Sequence, residues 1–264
     1  MLIDSHCHLA SSTFEGRHAE VVEQAVEAGV GRLVTIGTDL EDSQRCVELA
    51  ENFSEVYATV GIHPGSVHEM EDPDWLTVIR ELAGHPKVVA IGEIGTDYFH
   101  PPAEGWTLQR LKATQEAFYI AQLELAAELG KNVVIHNRDS WEDTVRLIQR
   151  FHGRLRAVFH CYIGQWEEAR PLVEKGHLIS FTGIATFKNA PVVRAAATEA
   201  PLDSFMVETD SPYLAPEPHR GKRCHPAYTA DTARAIARFR EIEFEVLAEA
   251  TTRTAETFYG IAGA

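Results

Sequence analysis

Eight short apolar runs recur along the chain, each giving way to a segment whose apolar residues keep helical spacing, and this alternation limits the possible folds more than any other feature. The runs fall at residues 2–6, 33–37, 56–61, 88–92, 132–135, 157–159, 178–181 and 205–208. Helices are expected at 17–28, 40–50, 75–82, 108–129, 141–151, 166–175 and 192–197, and two more, 229–238 and 244–259, close the chain. In the first, Ala19, Val22, Ala25 and Val26 follow helical spacing and Gly29 supplies a stop. Strand and helix alternating eight times is the pattern of an α/β protein built as a (β/α)8 TIM barrel with extra C-terminal helices. A doubly wound open sheet competes, but no Gly-x-Gly-x-x-Gly follows the first run and no Walker-type loop is present. The 264 residues show no fixed-period repeat or low-complexity linker, so one domain spanning 1–264 is expected.

The formal net charge of −15 argues against a basic surface that wraps duplex nucleic acid. It leaves room for a polyanionic substrate met by metal ions and a local basic cluster. The four cysteines (Cys7, Cys46, Cys161 and Cys224) are scattered, with no Cys-x-x-Cys pair, as expected for a reducing cytosol. Neither a signal-type leader nor an apolar span is evident, so a cytoplasmic protein without membrane contact is expected.

In a parallel barrel the C-terminal strand ends open on one face, where active sites sit. The runs deliver His6 and His8, His63, Glu93, His136, His160 and Asp210 to that face. Alternate residues of a strand point the same way, so His6 and His8 aim together while Cys7 turns aside. Singly, each histidine reads as a hydrogen-bonded structural residue, and Glu93 or Asp210 as a helix cap or turn residue. Jointly, His6, His8, Glu93, His136, His160 and Asp210, at one end of five strands, point to a metal site. Four histidines and two carboxylates exceed the needs of one tetrahedral zinc. They suit two divalent ions about 3.5–4 Å apart, a pair that acidifies water and clamps the attacking and leaving oxygens of a phosphoester. Mixed ligation favours zinc, manganese or cobalt, while magnesium prefers more oxygens.

The motifs resemble the TatD family of metal-dependent hydrolases, among the amidohydrolase-like barrels. They run from Asp4-Ser5-His6-Cys7-His8-Leu9 and Val60-Gly61-Ile62-His63-Pro64 through Gly92-Glu93-Ile94-Gly95 and Ile135-His136-Asn137-Arg138-Asp139. Phe159-His160-Cys161, Ile179-Ser180-Phe181, Glu208-Thr209-Asp210-Ser211-Pro212-Tyr213-Leu214 and Arg220-Gly221-Lys222 continue the match. The resemblance implies that His6, His8 and Asp210 hold one ion (Mg, Mn or Zn), that His136 and His160 hold the other, and that Glu93 bridges. It gives Asp210 the further task of orienting or deprotonating the attacking water, so Asp210 and Glu93 are the expected catalytic residues. The activity it implies is a deoxyribonuclease, often a 3′-5′ exonuclease on single strands.

His63, Arg138, Lys188, Arg220 and Lys222 are the candidate phosphate donors, with Arg223 beside them, and Tyr98, Phe99, Tyr162 and Tyr213 the candidate stacking rings. The chain departs from the family pattern at Thr96, Ile163, Gln165 and Cys224, while all six expected ligands are kept. Two other readings stand beside the nuclease. One is a sister hydrolase of an ester or amide such as D-aminoacyl-tRNA, or of a small phosphoester. The other is a metal-binding protein without turnover.

Overall fold

The computed structural model describes residues 1–261; positions 262–264 of the expected domain lie outside the described residues. The strands are β1 (Leu2–Cys7), β2 (Val30–Ile36), β3 (Val56–Val60), β4 (Val88–Asp97), β5 (Asn132–Arg138), β6 (Ala157–Phe159), β7 (Leu178–Phe181) and β8 (Phe205–Val207). They stand side by side in chain order, each pairing in parallel with the next. The helices are α1 (His18–Glu27), α2 (Leu40–Asn52), α3 (Trp75–Ala83), α4 (Leu108–Leu129), α5 (Trp141–Ile148), α6 (Trp166–Val173), α7 (Pro191–Glu199), α8 (Thr229–Phe239) and α9 (Phe244–Tyr259). Just past β8 the ring closes on β1: the Asp210 N–H donates to His6 O at 2.9 Å and the His8 N–H to Ser211 O at 2.8 Å. The fold is the (β/α)8 barrel that the alternation predicts.

Two apolar layers hold it. Outside the strands, residues such as Leu33, Ile91 and Phe159 pack with buried helix residues that include Val22, Val47, Leu123 and Leu147. A smaller cluster draws Ile3, Val34, Ala90, Val134, Leu178 and Met206 together with Phe258 and Tyr259 of α9. This is the barrel interior, and α9 plugs its N-terminal end. Tyr259 reaches in far enough for its hydroxyl to donate to Ser5 O at 2.9 Å. With the bottom filled by apolar side chains, only the opposite mouth is left for polar chemistry.

Strand ends differ from the expected ones where the chemistry sits. β4 continues to Asp97 and β5 to Arg138, paired through Ile94–Ile135 and on to Asp97–Arg138, so Glu93 and His136 lie within strands. The register also slips. From Ile91 to Ile94 β4 spends one residue more than β5 does from Val133 to Ile135, and β1 does the same from Asp4 to Cys7 against Leu33 to Thr35. Such one-residue bulges kink a strand and re-aim its side chains. His6 and Glu93 each fall inside one. Beyond the second bulge, Gly95 has φ +140°, and any Cβ there would collide with the carbonyl of His136. Only glycine lets β4 run this close to β5 at His136.

Candidate metal centre

Glu93 is buried at the centre of the mouth, and its two oxygens face different groups of donors. Oε1 lies 2.7 Å from His136 Nδ1 and 2.9 Å from His160 Nε2. Oε2 lies 3.4 Å from His6 Nε2 and 3.9 Å from His8 Nε2. Asp210 Oδ1 completes the second group, 3.6 Å from His6 Nε2 and 3.3 Å from His8 Nε2. His6 and His8 do converge, their Nε2 atoms 3.3 Å apart, while the Cys7 thiol turns outward to Val34 O. All six expected ligands therefore meet at one place.

Behind two of the rings, opposite the nitrogen that faces Glu93, lies a second carboxylate. His136 Nε2 is 3.2 Å from Asp97 Oδ2, which leaves the lone pair of Nδ1 directed at Glu93. His160 turns Nδ1 toward Glu208 Oε1 at 3.5 Å and presents Nε2 to the centre. Carboxylates placed behind histidines in this way orient the rings and strengthen them as metal ligands. Ring nitrogens below 3 Å from a carboxylate oxygen call for a positive charge between them, which a proton or a metal ion supplies. The pKa shifts register the same demand. Burial pushes Glu93 upward, but His160 and His136, through charge and hydrogen bonds, outweigh it and hold the carboxyl well below its ordinary range. Burial disfavours protonated His136, yet Asp97 and Glu93 raise it; burial likewise opposes His160, which Glu93 and Glu208 raise strongly. The donor set thus fits divalent cations bound by imidazole and carboxylate.

His63 belongs to this cluster by position, with Nε2 3.6 Å from Glu93 Oε1 and its ring 4.4 Å from that of His136. Its hydrogen bonding gives it a different task. Nδ1 accepts the Gly65 N–H at 2.9 Å, so in the neutral ring Nε2 carries the proton. Burial and the neighbouring His136 push its pKa down to about 3, so the ring is neutral, with a proton on Nε2 available for donation.

The comparisons with known proteins agree with this geometry. A family model described as TatD related DNase matches residues 3–260. The chain belongs to the TatD family. An uncharacterized metal-dependent hydrolase, YabD of Bacillus subtilis, is 36% identical over 99% of this chain and 100% of its own length. A protein of Shigella flexneri named 3'-5' ssDNA/RNA exonuclease TatD is 34% identical over 99% of this chain and all of its own. The solved structure of YjjV, a TatD homologue from Escherichia coli, superposes with a TM-score of 0.90 at 28% identity, covering 99% of this chain and 98% of that one. This TatD-family chain is a metal-dependent hydrolase.

The other expected residues spread around the mouth. Arg138 is exposed and lies over the Phe99 ring at 3.7 Å. Lys188, Arg220 and Lys222 are exposed on the loops that follow β7 and β8, with Arg220 over Phe187 at 4.2 Å. Of the candidate stacking rings, Phe99 and Tyr213 are more than half exposed, and Tyr162 is buried against Trp141. Tyr98 is not free to stack on a ligand: its hydroxyl donates to Asp143 and Lys112 covers its ring. Thr96 and Cys224, two departures from the family pattern, are buried packing residues, Thr96 facing Thr144 of α5. Three carboxylates escaped the sequence reading. Asp97 and Glu208 stand behind ligands, and Asp4 accepts from Thr209 N–H at 2.9 Å and from its hydroxyl at 2.6 Å, fixing the residue before Asp210. Each lies within four residues of an expected ligand, Asp4 inside an apolar run and Glu208 at the end of one, and that proximity is the signal that could have found them.

Proposed function

We propose that the chain is a two-metal phosphodiesterase that removes nucleotides from the 3′ end of single-stranded DNA. The observation that carries this reading is Glu93, one carboxylate oxygen facing His136 and His160 and the other facing His6 and His8. That is the disposition of a bridge, with Asp210 as the remaining ligand of the second group. Two divalent ions held there would supply an acidified water and a positive clamp for phosphate oxygens.

The chain's own groups do the rest. Asp210 is pushed up by burial but pulled lower by His8 and His6, so its carboxylate stays ionised and can accept a hydrogen bond from the attacking water. His63 donates from Nε2 to a phosphate oxygen, and the Arg138 guanidinium at the rim offers a fork to the same or the next phosphate. Lys188, Arg220 and Lys222 extend this positive edge within an acidic protein. The naming of the Shigella relative as a 3'-5' ssDNA/RNA exonuclease supports the choice of substrate.

The test is digestion of a 5′-labelled single-stranded oligonucleotide by apoprotein given Mg²⁺, Mn²⁺ or Zn²⁺, with Asp210→Asn as control. The expected result is a ladder shortening one nucleotide at a time with wild type alone. Intact oligonucleotide with folded, metal-loaded protein would overturn the reading, and cleavage of a D-aminoacyl-tRNA ester under those conditions would replace it.

A further inference from the structure

Between the ends of β5 and β6, against the donor cluster, lies a pocket of about 220 Å³. His160 and Cys161 form part of its wall, so whatever enters it sits beside the metal ligands. The volume is below the roughly 300–1,000 Å³ of sites that hold a drug-sized molecule, and it suits a single ring system. Its apolar surface comes from Trp141 and Tyr162, whose ring centroids are 5.6 Å apart and tilted 55°. Both rings are braced: Trp141 by Phe159 at 5.4 Å, and Tyr162 by its hydroxyl donating to Gln165 O at 2.6 Å. Ile163, 56% exposed, lines it as well and is one of the positions that depart from the family pattern.

The polar lining offers both hydrogen-bonding senses. Asn137 spends Oδ1 on the hydroxyls of Ser140 and Thr144 and keeps its amide N–H₂ as a donor. Glu168 supplies carboxylate acceptors. A braced aromatic wall with one donor and one acceptor group matches a planar heterocycle carrying both kinds of group on its edge.

We propose that this pocket receives the base of the nucleotide whose phosphate reaches the donor set, which makes Trp141, Tyr162 and Ile163 a base subsite. The inference rests on the nucleic-acid reading above and deepens it. A paired base spends its Watson–Crick edge on its partner and must be unpaired and unstacked, at a free-energy cost, before it can enter so small a space. The pocket therefore accounts for single-strand selection in a chain whose net charge of −15 disfavours duplex contact.

The probe is calorimetric binding of dAMP and of 2-deoxyribose 5-phosphate, which lacks the base, to the metal-loaded protein. Wild type is expected to bind dAMP tighter by roughly 5- to 150-fold, the range that stacking one base provides. In Trp141→Leu, which removes the aromatic face, and in Ile163→Glu, which places a charge at an exposed position, that ratio falls toward one. Affinity for deoxyribose 5-phosphate stays at the wild-type level. If Trp141→Leu does not fold, Ile163→Glu carries the test alone. Equal affinities in wild type, or a ratio that persists in a folded variant, overturns the proposal. Oligonucleotide digestion without base preference would sink the subsite and keep the phosphodiesterase. Base preference without digestion would do the reverse.

Discussion

Asp97 Oδ2 lies 3.2 Å from His136 Nε2, while the other ring nitrogen, Nδ1, faces Glu93 at 2.7 Å. The carboxylate is itself held by the Phe99 N–H at 2.9 Å, so ring and carboxylate form one fixed unit. In the neutral ring, a proton shared between Nε2 and Asp97 leaves Nδ1 as the lone pair.

Asp97→Ala is accordingly expected to weaken metal binding by about 10- to 100-fold, the usual effect of losing such a partner. Asp97→Asn, whose amide oxygen can still take the Nε2 proton, is expected to recover most of it. Chelator competition at neutral pH measures both. Equal affinity in wild type and Asp97→Ala would show that the ring needs no such support.

Glu93→Gln is expected to lower the metal stoichiometry from two to one and to cut turnover by about 10²–10⁴-fold, because an amide cannot bridge with two anionic oxygens. Asp210→Asn is expected to abolish hydrolysis while circular dichroism stays unchanged. Full wild-type stoichiometry in Glu93→Gln, read by elemental analysis of the dialysed protein, would remove Glu93 from the bridging role.

His63 separates ligand from donor. If Nε2, which carries the proton when Nδ1 accepts from Gly65, donates to phosphate, His63→Ala should retain the full metal content. It should also lose about 10²–10³-fold in kcat/KM, the size of one lost donor to developing charge. Loss of an ion in that variant would instead make His63 a ligand.

The architecture was legible because buried parallel strands must read as apolar runs, and the expected ligands His136, His160 and Asp210 follow such runs within two residues. What lay hidden was whatever depends on closing the ring. Asp4 is tied to Thr209, which is distant in sequence and adjacent only across the β8–β1 seam. The bulges that aim His6 and Glu93 are relations between two strands and leave no mark on either alone. Tyr98 illustrates the opposite error: its place beside the rim suggested stacking, but β4 continues past Glu93 and turns it toward Asp143 of α5.

A last prediction concerns acid stability, away from the mouth. His177, 1% exposed, accepts the Ala157 N–H through Nδ1 at 3.0 Å and donates through Nε2 to His152 Nδ1 at 2.8 Å. The bond from Ala157 requires the neutral ring, because a protonated Nδ1 cannot accept. Burial, with His152 and Arg156 nearby, lowers its pKa to about 4. In the unfolded chain it titrates near 6.5, so between these values the unfolded state binds more protons and stability rises with pH. The contribution of neutral His177 is complete above pH 6.5 and is lost as pH falls toward 4, a loss of about 3 kcal/mol. Urea unfolding of wild type and His177→Asn at pH 7.5 and 4.5 measures it, since asparagine can still accept the Ala157 N–H but does not titrate. The variant is expected to be the less stable protein at pH 7.5 and to show a shallower decline between the two pH values. An identical decline in both proteins would place the acid sensitivity elsewhere, in the carboxylates and histidines around Glu93.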